Sequence, residues 1–222
     1  MTEYLGALSD WRLERGRILS DSVDLAAAGM VVGDVAEFGI FAGRTLEVLA
    51  NAVATANKAY QDQPRHLHGF DSFEGLPPVT ASADADSPMV KAGIWREGAM
   101  KISSPAAAKG KACKYLPPEL VRIFPGFFFN TLKLLEPGQK YAVVHLDCDL
   151  YQSTHDVLGD LFYNDRLSDG SILLFDDFLE NRGSKHYGQR AAWEVANECF
   201  CPDFTDLGFY GRASWRCMIH RS

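Results

Sequence analysis

Val35-Ala36-Glu37-Phe38-Gly39-Ile40-Phe41-Ala42-Gly43 is a short apolar run that ends in a glycine-bearing turn. From Thr45 to Asn57, apolar residues follow at positions 46, 48, 49, 52 and 53, the spacing of one helix face. Strand, glycine turn and helix in that order open a doubly wound, Rossmann-like unit. Working outward, His66 to Phe70 predicts a second strand that ends in Asp71, and Val121 to Phe124 a third. Tyr141 to Leu146 is a fourth, almost wholly apolar, as a strand buried on both faces should be. Ser171 to Phe175 is a fifth, and Asp203 to Leu207 with Ser214 to His220 reads as a terminal antiparallel pair. The expected fold class is therefore α/β, a mostly parallel doubly wound sheet with an antiparallel pair at its C-terminal end.

Helices are expected in two segments over residues 1–30, after the fourth strand, and from Gln189 to Cys199. For the middle one, Ser153 is the expected cap, with Asp156 as the acid of a capping box. Residues 77–112 turn polar and rich in Ala, Ser, Asp, Gly, Pro and Lys, around Trp95 and Met100. A long polar insert of this kind points to a partly helical lid. The aromatic run Phe127-Phe128-Phe129 offers a ring for stacking on adenine, but such a run is more often core and is read so here. The expected organisation is one domain: an N-terminal helical segment over 1–30, a cofactor half over 34–76, a lid-like insert over 77–118 and a metal and acceptor half over 121–222.

Composition narrows the function. With 222 residues the chain is long enough to bury roughly 70% of its unfolded surface and to fold without staples. Lys plus Arg is 22 and Asp plus Glu is 29, so the formal charge is 22 − 29 = −7, which argues against non-specific binding to nucleic acid or an anionic membrane. The first residues carry an acid at Glu3 and no basic run, so no secretory signal fits, and no run of 18 apolar residues is present to span a membrane. An odd count of 5 cysteines suits a reducing cytoplasm. Leu5, Leu8 and Trp11 are candidates for a dimer contact or a lid surface.

The acids divide by position. Glu37, Asp71, Asp147, Asp149, Asp176 and Asp177 all fall at or near the carboxyl ends of predicted strands, the edge where open α/β sheets bind ligands. A lone aspartate there is usually a turn residue or a cap. Asp147-Cys148-Asp149 and Asp176-Asp177, closing two successive apolar strands, are different: such pairs would repel one another unless a cation sat among them. Carboxylates without His or Cys favour a hard ion such as Mg²⁺. Asp71, at the end of the second strand, can accept hydrogen bonds from a ribose diol, which together with the glycine turn points to an adenosine-containing cofactor. The turn lacks Gly-Lys-Ser/Thr, which disfavours a nucleoside triphosphate.

Five stretches resemble the macrocin O-methyltransferase family: Glu37 to Thr45, Gly69 to Pro77, Gly126 to Leu132, Leu146 to Thr154 and Phe175 to Phe178. The resemblance runs from about Asp34 to about Asn197. It implies the class I methyltransferase fold, with S-adenosylmethionine as methyl donor and Mg²⁺ as metal. The acceptor would be a hydroxyl of a sugar or another vicinal diol in natural-product biosynthesis. By position it assigns Glu37, Phe38, Gly39, Phe41, Gly43 and Thr45 to the cofactor turn and Asp71 with Ser72 to the ribose end. It likewise gives Asp149, Asp176 and Asp177 as metal ligands and Asp147 as general base. His145 and Cys148 stand where family members often carry Arg and Gly. Two other classes remain open at this point. One is a divalent-metal-dependent glycosyltransferase using Asp-x-Asp, which leaves the glycine turn and Asp176-Asp177 without a role. The other is a non-catalytic adenosine-cofactor-binding protein, which has no need of the metal carboxylates.

Overall fold

The computed structural model describes residues 2–60 and 64–221, with side chains from Trp11 onward in the first helix. In chain order the elements are α1 (Thr2–Ala28), β1 (Asp34–Phe38), α2 (Arg44–Ala59), β2 (Leu67–Asp71), α3 (Ser82–Ala85), α4 (Pro88–Lys91), α5 (Pro105–Ala112) and β3 (Val121–Pro125). There follow α6 (Phe128–Thr131), β4 (Tyr141–Leu146), α7 (Tyr151–Tyr163), β5 (Leu167–Phe175), α8 (Gly188–Phe200), β6 (Asp203–Tyr210) and β7 (Ser214–His220). The strands form one seven-stranded sheet in the order β3-β2-β1-β4-β5-β7-β6. The first five run parallel, and β7 is antiparallel to both β5 and β6. The α/β class and the terminal antiparallel pair are as the hydrophobic pattern foretold.

Two layers of side chains clothe the sheet. On one face, Val35, Leu67, Val121 and Ile172 pack with Leu19 of α1, Leu49 and Val53 of α2 and Ala108 of α5. On the other, Phe38, Phe70, Leu146 and Phe175 pack with Val157 and Leu158 of α7 and Trp193 of α8. Adjacent residues of one strand thus enter opposite cores, as the period of two requires. β4, in the middle, is buried along its whole length.

Two local readings change, at the N-terminal helix and at the start of α7. The N-terminal region is one continuous helix of 27 residues rather than two segments. Leu5 and Leu8, candidates for a dimer contact or lid, lie outside the described side chains. α7 begins at Tyr151, so Ser153 sits within the first turn and does not cap it; the N-cap position is Leu150, whose side chain makes no capping hydrogen bond. The insert carries three short helices, α3 to α5, and Trp95 within it is buried at 2% exposure.

Candidate active site

Register builds the site. Glu37 pairs with His145 and Phe38 with Leu146, while Leu146 pairs with Phe175. One residue further, Gly39, Asp147 and Asp176 stand side by side where the three strands end. The pairing continues past the strands: Gly39 N–H donates to Phe70 O at 2.8 Å, Asp147 N–H to Phe38 O at 2.8 Å and Asp176 N–H to Leu146 O at 2.9 Å. Gly39 has φ 93°, and a Cβ built there would lie 1.8 Å from Asp147 O, so only glycine lets β1 pass the Asp147 backbone.

Three of the four strand-end aspartates converge. Asp147, Asp149 and Asp177 each offer a carboxylate oxygen within 4.8 Å of the others. Burial, reinforced by the charges of neighbouring aspartates, pushes all three carboxyls well above the usual range. Asp177 Oδ2 is buried with no hydrogen-bond partner among the described residues. Oxygen donors in this number, stressed by mutual repulsion and with an oxygen left over, fit a hard divalent cation. Asp149 has φ 58°, a left-handed conformation that Asp tolerates better than most residues.

Asp176 is placed differently. Its Oδ2 accepts from Arg15 Nη1 of α1 at 2.5 Å, and Ser214 Oγ donates to its Oδ1 at 3.2 Å. His145 Nε2 lies 3.8 Å from Asp176 Oδ1, and His145 Nδ1 is 3.0 Å from Glu37 Oε1. Burial works against a charged ring at His145, but Asp176 and Glu37 on its two sides override it and push its pKa up to about 10. For Asp176, burial raises the carboxyl, yet His145, Arg15 and Ser214 together bring it below the ordinary value. The chain Glu37, His145, Asp176, Arg15 is therefore a charge-balanced buttress behind the three converging carboxylates.

The expected cofactor residues divide in the same way. Gly39, Phe41, Asp71 and Ser72 line a cavity of about 340 Å³ that also reaches Asp147 and Asp149. Asp71 Oδ2 accepts from Ile40 and Phe41 N–H at 2.7 and 3.0 Å, and its Oδ1 accepts from Phe73 N–H at 2.7 Å. These bonds fix the glycine turn against the end of β2 and still leave acceptor capacity on the carboxylate. Glu37 and Phe38 are fully buried behind the cavity, the one against His145 and the other stacked on Phe70 at 4.4 Å. Gly43 caps α2 with φ 68°. Thr45 faces a second cavity of about 590 Å³, walled by Trp11, Trp95 and Arg15 and floored by the aspartates. The two cavities share Phe41, Met100, Asp147 and Asp149. Phe127 to Phe129, expected in the core, line the first cavity.

Several residues that matter here carry no signal of their own in the sequence. Gln189 of α8 is buried; its Oε1 accepts from Asp177 N–H and its Nε2 donates to Leu146 O, both at 2.9 Å. It ties the ends of β4 and β5 together. Asp84 of the insert accepts from Tyr151 N–H at 2.6 Å and Gln152 N–H at 3.0 Å, supplying the cap that α7 lacks. Arg15 reaches Asp176 across 161 positions of sequence.

Residues 11–195 match the family model described as macrocin-O-methyltransferase. The chain belongs to the macrocin O-methyltransferase family. Within this family, a Streptomyces olivaceus protein named 8-demethyl-8-(2,3-dimethoxy-alpha-L-rhamnosyl)-tetracenomycin-C 4'-O-methyltransferase is 32% identical over 166 residues, 75% of this chain and 60% of that protein. The mycinamicin III 3''-O-methyltransferase of Micromonospora griseorubida is 31% identical over 170 residues, 75% of this chain and 63% of that one. The chain spans under two thirds of the length of these curated relatives. In solved structures, the O-methyltransferase NovP superposes with a TM-score of 0.73 at 23% identity, covering 93% of this chain and 80% of NovP. A Bacillus cereus O-methyltransferase in complex with SAH superposes with a TM-score of 0.60 at 12% identity, covering 93% of this chain and 80% of that one. At these identities the likeness establishes the shared α/β methyltransferase fold. No helix among the described residues is long and apolar enough to cross a membrane.

Proposed function

We propose that this macrocin O-methyltransferase family member transfers a methyl group from S-adenosylmethionine to a hydroxyl of a sugar or similar vicinal diol, with Mg²⁺, in natural-product biosynthesis. The observation that carries the reading is the meeting of two cavities at Asp147 and Asp149. A two-substrate transfer needs two compartments with one shared wall, where donor and acceptor atoms are held in line. The compartment bounded by Gly39, Asp71 and Ser72 takes the donor, and the one bounded by Trp11 and Trp95 takes the acceptor. The relatives named for methylation of a rhamnosyl-bearing tetracenomycin and of a mycinamicin support a sugar acceptor. Five cysteines without a disulfide support a reducing cytoplasm as the setting.

S-adenosylmethionine supplies an electrophilic methyl on sulfur, and a divalent ion supplies Lewis acidity and a template for two adjacent oxygens. Asp149 and Asp177 hold the ion in this reading. Asp147, on the shared wall, takes the hydroxyl proton. Asp71, held by the backbone N–H groups of Ile40 and Phe41, orients the donor. Trp95 and the insert exclude water from the junction.

Calorimetric titration tests the reading. S-adenosylhomocysteine should bind with or without Mg²⁺, and a UDP-sugar should not bind in the same way. Binding of the UDP-sugar alone, in a Mg²⁺-dependent manner, sinks the methyltransferase reading in favour of glycosyl transfer.

A further inference from the structure

α7 follows Asp147 and Asp149 directly, yet nothing in its own sequence caps it. Leu150 at the N-cap has no side-chain acceptor, and Asp149 before it is turned into the left-handed region. The first-turn amides of Tyr151 and Gln152 are instead taken by Asp84, at 2.6 and 3.0 Å, from 67 and 68 positions earlier. Asp84 is 1% exposed. A carboxylate so deeply buried is tolerated only where amides hold it, and here both of its oxygens are engaged. The same insert grips the loop after β5. Met89 N–H donates to Asn181 Oδ1 at 3.0 Å. Gly188, at the start of α8, has φ 57°, and a Cβ there would meet Asn181 Nδ2 at 2.9 Å, Asp149 O at 3.5 Å and the Trp95 ring at 3.6 Å. Gly188 thus lets the insert, the loop at Asn181 and the Asp149 turn close on one another.

We infer that Asp84 is a positioning residue for the strand-end carboxylates: docking of the insert sets the Asp149–Tyr151 turn through the Asp84 carboxylate and so places Asp149 for its cation. The inference rests on the metal reading above. Its physical content is linkage. If a docked insert favours the cation-ready turn, a bound cation must in turn favour the docked insert. An insert that merely covers the site, without Asp84, would exclude water but leave the turn unset.

The experiment uses the full chain with Mn²⁺ as probe, titrated by electron paramagnetic resonance, in wild type, Asp84→Ala and Asp84→Asn. Loss of a charged cap is expected to weaken Mn²⁺ binding about tenfold in Asp84→Ala. Asp84→Asn, which keeps an acceptor, should recover most of that loss. S-adenosylhomocysteine affinity should change less than about threefold, because a general loss of structure would lower both. Amide exchange at Tyr151 and Gln152 should accelerate in Asp84→Ala, and Mn²⁺ should slow exchange across the insert in wild type but not in Asp84→Ala. Mn²⁺ affinity within about twofold of wild type in Asp84→Ala overturns the inference. If that variant does not fold, a wild-type insert whose exchange is not slowed by bound Mn²⁺ overturns it instead. A wild-type protein that takes no Mn²⁺ at all removes the metal reading itself, and the inference with it.

Discussion

Gly39 and Asp147 touch through their backbones: the α-hydrogen side of Gly39 faces the Asp147 carbonyl so closely that a methyl group there would sit 1.8 Å from the oxygen. The glycine turn and the Asp147–Asp149 segment are therefore one mechanical unit. Gly39→Ala combines that clash with an unfavourable φ of 93°. It is expected to cost roughly 3 kcal/mol or more of stability and over about tenfold in S-adenosylhomocysteine affinity. Denaturation and calorimetry check this, and a variant that binds like wild type contradicts the geometry.

The three converging aspartates oppose one another when no cation is present. Their carboxyls are raised, so at neutral pH each ionised group works against the folded state. Asp149→Asn should therefore stabilise the chelated protein by about 1 kcal/mol while abolishing most of the rise in Tm that Mg²⁺ gives to wild type. Cofactor binding should survive and Mg²⁺-dependent turnover collapse. Thermal melts in chelator and in Mg²⁺ give the answer, and an unchanged Mg²⁺ response removes Asp149 from the ligand set.

Arg15 holds Asp176 out of that cluster. Arg15→Met leaves a buried carboxylate without its guanidinium and should cost about 2 kcal/mol in chelator. Mg²⁺ should then restore more stability than it gives to wild type, because Asp176 is free to join the other three. Equal Mg²⁺ effects in the two proteins would mean that Asp176 has no part in binding the ion.

Gln189→Leu tests the tie between β4 and β5. It leaves the Asp177 N–H without its present partner and the Leu146 carbonyl with only the bond from Asp176 N–H. One orphaned donor and one lost bond are expected to cost about 1–3 kcal/mol. A urea-denaturation midpoint matching wild type would show that other groups take over both bonds.

His68 gives a pH dependence remote from the aspartates. It is packed among Phe70, Phe124 and Tyr141, with Nδ1 3.0 Å from the Tyr141 hydroxyl. Burial above all, with nearby His66 and Arg122 adding to it, lowers its pKa from 6.5 to about 4. Between those values the unfolded chain binds a proton that the folded one refuses, so stability falls as pH drops from 6.5 towards 4. Relative to His68→Gln, wild type should lose on the order of 3 kcal/mol across that window. Parallel stability profiles for the two proteins would rule out a neutral buried His68.

The legibility of this site follows the range of the forces that build it. β4 announces itself because burial on both faces demands an unbroken apolar run, and Asp147 to Asp149 follow from where that run stops. Asp177 follows from β5 in the same way. The separation of Asp176 from its neighbour is not legible, because it depends on Arg15 arriving from a helix 161 positions away. The cap of α7 escapes the sequence for a related reason. Local sequence offers a good capping residue at Ser153, and nothing near Leu150 reveals that Asp84 fills the role from the insert. Glu37 and Phe38 read with the glycine turn because they precede it. The alternation of the strand instead sends Glu37 to His145 and Phe38 into the aromatic core.

The position of β7 between β5 and β6 bears on how the molecule is made. Translation delivers β6 before β7, the strand that must separate it from β5, so β6 cannot take its final place until β7 is also free. Trp215, which packs at a tilt on Phe178 at 4.6 Å and lies 5.5 Å from Phe175, arrives with β7 and closes the aromatic core over the end of β5. A chain without Trp215 would keep Phe175 against Trp193 but leave Phe178 without the indole that packs on it, so the last strand completes the aromatic core as well as the sheet.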